Sequence, residues 1–391
     1  MIKSMIVPRH EKNITTETEI FYMWADTELA RRALAKIKGP NGKAPRTAED
    51  MDAARDYIKK KVLENVYGTL PPKPDRIHAE EVSRDVSFCA GKADLVVYRL
   101  VSEYPDKVFS FPLRVVIPKT GTPCPAFVHI NFRPNVPDRY QLTEEIVDRG
   151  YAVLSFCYEE VATDDGSFRA ACGKYLTNGR RRADATGKIA MWAWAAMRVM
   201  DYIETIPELI DKDEVAVIGH SRLGKTALLT GAMDERFSYV ISNDSGCSGA
   251  AITKDKIGET QKKITTTFPF WFCPRYIKEG QSGGYTEVDQ HFLTALIPPR
   301  HLMVGSAVED TWSDPDSEYL NVYKTNEIYR LYGMTGLVTD GERPVCPITL
   351  SDGDAHYHLR RGAHYFSRED WNIYIDYIDA CRKRKEEKVN E

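Results

Sequence analysis

The chain has no long hydrophobic run: nowhere does it hold the roughly 18 consecutive apolar residues that a membrane-crossing helix needs. Its opening residues, Met1 to His10, lack the apolar core of a secretion signal. The expected compartment is therefore the cytoplasm, or the cell exterior if a signal has been trimmed away. Neither sign of charge prevails, with 53 Lys and Arg against 57 Asp and Glu, so neither nucleic acid nor an anionic membrane is an expected partner. The 8 cysteines are scattered with no C-x-x-C pair and no zinc-like spacing. They read as buried free thiols, and no metal or other cofactor is expected. Internal repeats and low-complexity tracts are also missing. The one charge run, 382–388, reads as a solvated helix end. What remains is a 391-residue chain of 42% hydrophobic content, enough for a large core in a single α/β unit.

Residues 15–70 read as helical, with one segment from Glu17 to Lys38 and a second from Thr47 through Val66 that opens on a capping-type Thr47-Ala48-Glu49-Asp50. Pro71-Pro72-Lys73-Pro74 ends this lead-in. Alternating segments at Val82 to Phe88, Leu95 to Leu100 and Phe111 to Ile117 suggest antiparallel strands. Strand and helix patterns then alternate, the signature of a parallel sheet with helices on its faces. Strands are expected at Ala126 to Ile130, Ala152 to Phe156, Val215 to Ile218, Tyr239 to Ser242, Leu302 to Gly305 and Pro347 to Leu350. Between Ser248 and Ala295 lies a stretch that reads as irregular and aromatic. The fold class is α/β, a three-layer sandwich on a mostly parallel sheet. A helical extension, 1–78, is expected to pack on a main domain, 79–391.

One stretch carries chemistry. The short run Val215 to Ile218 stops at Gly219, and a helix-forming series follows Ser221 as Lys225-Thr226-Ala227-Leu228-Leu229. A serine on a strand-to-helix turn projects Oγ from the sheet, beside the N–H groups and positive dipole end of the helix. Gly219-His220-Ser221-Arg222-Leu223-Gly224 departs from the usual G-x-S-x-G, because its second glycine comes one residue late. Arg222 and Lys225 place two cations on the first helical turn, against the local dipole. That placement favours a nucleophile over a serine that only caps the helix.

A serine nucleophile needs a base, and the base needs an orienting acid. In this fold class the chain order is Ser, acid, His. His364 lies on a glycine-bearing loop, Arg360-Arg361-Gly362-Ala363-His364, ahead of a terminal helix, and is the expected base. His356 and His358 alternate on the preceding segment and read as packing or surface residues. Two acids compete for the orienting role: Asp310 after the Leu302 strand and Asp244 after the Tyr239 strand. Both stay open.

Taken together, these residues resemble the glucuronoyl esterases, carbohydrate esterase family 15, in their bacterial form. The resemblance covers about 111–376. It rests on Gly219 to Lys225, on Asn243-Asp244-Ser245-Gly246, on Gly258-Glu259-Thr260 and on Phe268-Pro269-Phe270-Trp271-Phe272. Asp289-Gln290-His291, Glu309-Asp310-Thr311-Trp312-Ser313-Asp314-Pro315 and the His364 loop complete the series. The resemblance implies an α/β-hydrolase fold and hydrolysis of esters joining (4-O-methyl-)glucuronic acid on xylan to lignin alcohols. It implies that Ser221 attacks the uronate carbonyl, that Arg222 serves the oxyanion, and that Lys225, Glu259 and Trp312 bind the sugar. Phe132, after the Ala126 strand, is expected to supply a second oxyanion N–H or to close the pocket. Asp244 is an aspartate where many members carry glutamate, one methylene shorter, so the resemblance places Asp310 ahead of it as the acid with both kept open; Tyr365 stands where relatives often have aspartate. The partner is then a glucuronic-acid ester on xylan or xylo-oligosaccharide, acted on by a monomer. Two alternatives remain: another carbohydrate esterase, of acetyl-xylan type, on the same fold, and a catalytically slow glycan-binding pseudo-hydrolase.

Overall fold

Ten strands join in one sheet in the order β1-β2-β3-β5-β4-β6-β7-β8-β10-β9 in the computed structural model, which describes residues 23–169, 171–177, 182–283 and 287–390. The first three strands, β1 (Arg76–Asp85), β2 (Ala93–Tyr104) and β3 (Lys107–Pro118), form an antiparallel wing. β3 also runs antiparallel to β5 (Ala152–Cys157). From β5 the sheet is parallel through β4 (Cys124–Asn131), β6 (Ile210–His220), β7 (Tyr239–Asn243), β8 (His301–Ala307) and β10 (Ala355–Arg360). A short edge strand, β9 (Ile348–Leu350), pairs antiparallel with β10. Every residue of β4, β5, β7 and β10 is buried. This is expected of parallel strands covered on both faces, and it explains why their sequences read as continuous apolar runs.

Two hydrophobic clusters cover the two faces. On one side, the helix Lys188–Ile203 is buried along nearly its whole length and packs Trp192 and Trp194 into the larger cluster. On the other, the helix Arg368–Asn390 supplies Trp371, Tyr374, Ile375 and Ile378 to a second cluster with Phe127, Ile218 and Met303. The sheet between them is the middle layer of an α/β-hydrolase sandwich.

The lead-in differs in detail from its sequence reading. Glu17 to Tyr22 lies outside the described residues. Beyond it, the first helix is Trp24–Arg32 and stops well short of Lys38 because Ala33 turns left-handed at φ 47°. The second helix does open at Thr47, whose hydroxyl accepts from the Asp50 N–H at 3.2 Å. It runs as Ala48–Val62 and continues in a π turn, Leu63–Tyr67. Met51, Ala54, Ile58, Val62 and Tyr67 belong to the larger cluster. β1 begins at Arg76, a few residues ahead of 79. The stretch 248–295 is less irregular than expected: it folds helices at Gln261–Thr267, Pro274–Ser282 and Gln290–Thr294. Thr260 and Asp289 cap two of these, and Pro274 starts the third.

Because the second lead-in helix shares the main core, Ile58→Ala, at a fully buried position, should cost about 2–5 kcal/mol. Scanning calorimetry should still show a single transition at a lower temperature. A separate early transition would mean that the lead-in unfolds on its own.

Candidate active site

β6 ends at His220 and the helix Arg222–Met233 begins at Arg222, so Ser221 is the whole connection. Its backbone is left-handed, φ 58° and ψ −127°, a strained conformation for a residue with a Cβ. Two glycines make the turn possible. A Cβ on Gly219 would lie 2.2 Å from the Leu223 carbonyl oxygen. One on Gly224 would meet the Ser245 Cβ at 3.0 Å and the Asn243 oxygen at 3.1 Å. The late glycine therefore lets the helix press against the end of β7. The Ser221 N–H donates to Asn243 O at 2.9 Å, which ties the elbow to that strand.

The structure brings the base and one acid to this serine. The Ser221 Oγ–H donates to His364 Nε2 at 3.0 Å, and His364 Nδ1–H donates to Asp310 Oδ2 at 2.6 Å. The imidazole is accessible while Asp310 is 4% exposed. Burial raises the Asp310 carboxyl, but hydrogen bonds from His364 and Ser313 outweigh it and leave the group below its ordinary value. It is thus charged where it must hold the imidazole and stabilise an imidazolium. His220 packs under His364 with ring centroids 4.5 Å apart, and its Nδ1–H donates to Asn243 Oδ1 at 2.7 Å. Burial, with His364 beside it, pushes His220 down to about 3, so it presents a neutral ring.

Asp244, the other candidate acid, is bonded elsewhere. It is fully enclosed, with Oδ1 accepting from the Ala307 N–H at 2.7 Å and Oδ2 from Arg360 Nη2 at 3.2 Å. Burial, then Glu318 and Asp370 nearby, raise its carboxyl well above the usual range. The short side chain is spent on the end of β8 and on Arg360. Among the described residues one compact group of possible metal ligands exists, Asp244, Asp310 and His364. Both Asp244 oxygens and both His364 nitrogens already have hydrogen-bond partners.

The remaining expected residues surround the elbow in different states. Arg222 is held by Asp164 and lies over Trp271 at 4.9 Å, Phe268 at 5.6 Å and Phe132 at 5.9 Å. Phe132 closes this cage. Its own N–H donates to Asn131 Oδ1 at 2.8 Å. Lys225 is buried, donating to Ser245 O and to Cys247 O at 2.7 Å, which leaves its third proton for the Glu259 carboxylate 3.6 Å away. Its expected reach to sugar hydroxyls is correspondingly reduced. The Glu259 N–H donates to Trp312 O at 2.9 Å, joining the two loops thought to bind substrate. Trp312 is 52% exposed, with Lys263 Nζ 4.8 Å above its ring.

Sequence reasoning missed several participants. Asp164 anchors Arg222, accepts from Trp271 Nε1 at 2.6 Å and from Tyr158 OH at 3.1 Å. No local pattern marks it. Lys256 donates to Ile257 O at 2.6 Å, Glu259 O at 2.8 Å and Trp312 O at 3.3 Å. His356 and His358, expected as packing or surface residues, are wholly buried in a chain: His356 Nε2–H donates to His358 Nδ1 at 3.0 Å, and His358 Nε2–H to Asp370 at 2.9 Å.

This triad on this sheet defines a serine carboxylic ester hydrolase of the α/β-hydrolase class. A family model described as glucuronyl esterase, fungi, matches residues 101–333, more than half of the sequence. The chain belongs to the glucuronoyl esterase family. It is 44% identical over 193 residues to a carbohydrate esterase of an unknown prokaryotic organism, covering 49% of this chain and 44% of that relative's length. It is 26% identical over 325 residues to 4-O-methyl-glucuronoyl methylesterase 1 of Wolfiporia cocos, covering 80% of this chain and 76% of that one. Among solved structures, a glucuronoyl esterase from Solibacter usitatus superposes with a TM-score of 0.81 at 29% identity, over 89% of this chain and 97% of that one. A promiscuous esterase of carbohydrate esterase family 15 from a marine bacterial metagenome gives 0.79 at 28% identity, over 88% and 96% of the two chains.

Two outcomes follow. Asp310→Asn should lower kcat by about 10³–10⁴-fold by removing the acceptor that sets the imidazole tautomer. Asp244→Asn should lose at most about tenfold, and p-nitrophenyl acetate kinetics compare them. Glu318 lies behind the site, accepting from Ser306 Oγ at 2.6 Å and the Gly246 N–H at 2.8 Å. Burial pushes it up to about 7 against those bonds. Between about pH 4.5 and 7 the folded chain thus keeps a proton that the unfolded chain has released, and stability falls as pH rises. The melting temperature of Glu318→Gln should gain on the unsubstituted protein as pH rises through that window. A difference independent of pH would contradict this.

Proposed function

We propose that this protein hydrolyses esters of glucuronic acid and 4-O-methyl-glucuronic acid through an acyl-enzyme on Ser221. The observation that carries the reading is the hydrogen-bonded line from Ser221 Oγ through His364 to Asp310, next to a caged arginine. Ser221 Oγ attacks the ester carbonyl while His364 Nε2 takes its proton. The developing oxyanion is met by the free N–H groups of the first turn of the helix Arg222–Met233 and by the Arg222 cation. Asp164 and the aromatic cage preorganise that cation. His364 then returns the proton to the leaving alcohol, and water, activated by the same imidazole, releases the uronic acid and restores Ser221.

For the sugar, Glu259 would accept from ring hydroxyls, with Lys225 fixing its carboxylate, while the exposed Trp312 indole offers a flat wall. Names of relatives such as 4-O-methyl-glucuronoyl methylesterase support this acyl group over an acetyl group. The triad comes entirely from one chain, which supports action as a monomer on a uronate ester of xylan or its oligosaccharides. The packing of the described part of the 1–78 segment, from residue 23 onward, into the common core supports an extension that serves the catalytic domain rather than a separate module.

Benzyl glucuronate and p-nitrophenyl acetate, offered to the protein and to Ser221→Ala, test the reading. Turnover of the glucuronate far above that of the acetate is expected, with the variant falling to background, a loss on the order of 10⁶-fold. Cleavage of acetate alone would leave the triad and overturn the substrate. Absence of both would favour a glycan-binding pseudo-hydrolase.

A further inference from the structure

The loop that carries His364 runs from the end of β10 to the helix Arg368–Asn390, and little of its own holds it. Glycine at 362, left-handed at φ 91°, gives it no stiffness, and the His364 side chain is 42% exposed. Yet the base must be held to a fraction of an ångström, since a displacement of about 1 Å costs on the order of 10²-fold in rate. The last residue of β10 provides the hold. Arg360 is 4% exposed, and a guanidinium has five N–H donors in a rigid fork. All five are used. Nε donates to Asp370 Oδ1 and Oδ2 at 2.9 and 2.8 Å. Nη1 donates to Arg361 O at 3.0 Å and Ala363 O at 3.3 Å, and Nη2 to Tyr365 O and to Asp244 at 3.2 Å. The carbonyls on both sides of His364 are thus gripped by one planar group.

The two anchors are themselves fixed. Asp370 also accepts from the Ser367 N–H at 2.8 Å and Oγ at 2.6 Å, which closes the far end of the loop, and from His358 at 2.9 Å. Asp244 accepts from the Ala307 N–H at the end of β8, the strand that leads to Asp310. Two backbone bonds complete the link between base and acid: Val308 N–H donates to Arg360 O at 2.9 Å and Glu309 N–H to Gly362 O at 3.0 Å.

We infer that Arg360 is a positioning residue of the reaction, clamping the His364 loop by the carbonyls that flank the base, with Asp370 and Asp244 as its anchors. Asp244, an acid beside the triad that does not touch the imidazole, acquires a function in this way. A lysine would keep the charge between the two aspartates but, as a point donor with three protons, could not span the same carbonyls.

The inference rests on the serine-esterase reading but not on the identity of the acyl group, so both esters are used. Arg360→Lys is assayed with p-nitrophenyl acetate and benzyl glucuronate, with active sites counted by fluorophosphonate titration of Ser221. A purely structural residue would reduce the number of titratable sites and leave the rate per site intact. The expected result is a kcat per titrated site about 10- to 100-fold lower on every ester that the unsubstituted enzyme cleaves, with KM within about threefold. A kcat per site within about twofold would overturn the inference. If glucuronate is never cleaved by either protein, the substrate reading fails while the acetate still decides on Arg360. Should Arg360→Lys not fold, Asp370→Asn, which keeps one acceptor for Nε, is read in the same way. If neither folds, a crystal structure of the unsubstituted enzyme phosphonylated at Ser221 decides: a retained grip on Ala363 O and Tyr365 O supports the clamp, and an Arg360 swung away from both overturns it.

Discussion

Everything catalytic here depends on one backbone constraint, the left-handed turn at Ser221. A residue with a Cβ enters that region at a cost of about 1–3 kcal/mol, and only surroundings that over-determine the turn can hold it there. The bond from the Ser221 N–H to Asn243 O pins the turn to β7, and the absence of side chains at 219 and 224 lets strand and helix approach closely enough to form it. The same geometry lifts Oγ off the end of β6 and starts a helix beside it, so the proposed nucleophile and oxyanion donors come from one strained residue and its successor.

Around the elbow, the loops that bring the other groups are held by buried cations on backbone carbonyls. Lys225 holds Ser245 O and Cys247 O, and Lys256 joins the Glu259 loop to the Trp312 loop. Arg360 does the same for the loop of the base. Each cation is removed from water, which is costly unless its protons are all engaged and an anion is near. Glu259 beside Lys225 and Asp370 beside Arg360 meet that requirement. Acids near the site are therefore divided between two tasks. Asp310 keeps its charge low in pKa and faces the imidazole, while Asp244 and Glu318 are pushed upward by burial behind it.

Much of this was legible in the sequence because it is local. The apolar run before Gly219, the glycines of the elbow and the glycine-bearing loop of His364 each state their own conformation, and the strand–helix alternation states the sheet. The choice between Asp310 and Asp244 was not local: it depends on which strand end faces the loop of the base, and a difference of one methylene could not decide it. Asp164 is 58 residues before Arg222, and Arg360 meets Asp244 across 116 residues, so no spacing announces either pair. The helices within 248–295 were hidden for another reason. They are short, and the first two are separated by the Pro269–Trp271 turn with its stacked Phe268 and Trp271 rings, so no long period announces them. The Phe132 N–H is taken by the side chain of its own neighbour, Asn131, a contact that no residue pattern announces.

The central claim is that a uronoyl group passes through Ser221. Rapid-quench mass spectrometry of the protein with a methyl ester of glucuronic acid tests it most directly. A transient adduct with the mass of one glucuronoyl group is expected, mapped to the peptide bearing Ser221 and formed before steady state is reached. Steady turnover of the ester with no adduct on that peptide, or with the adduct on another residue, would contradict it.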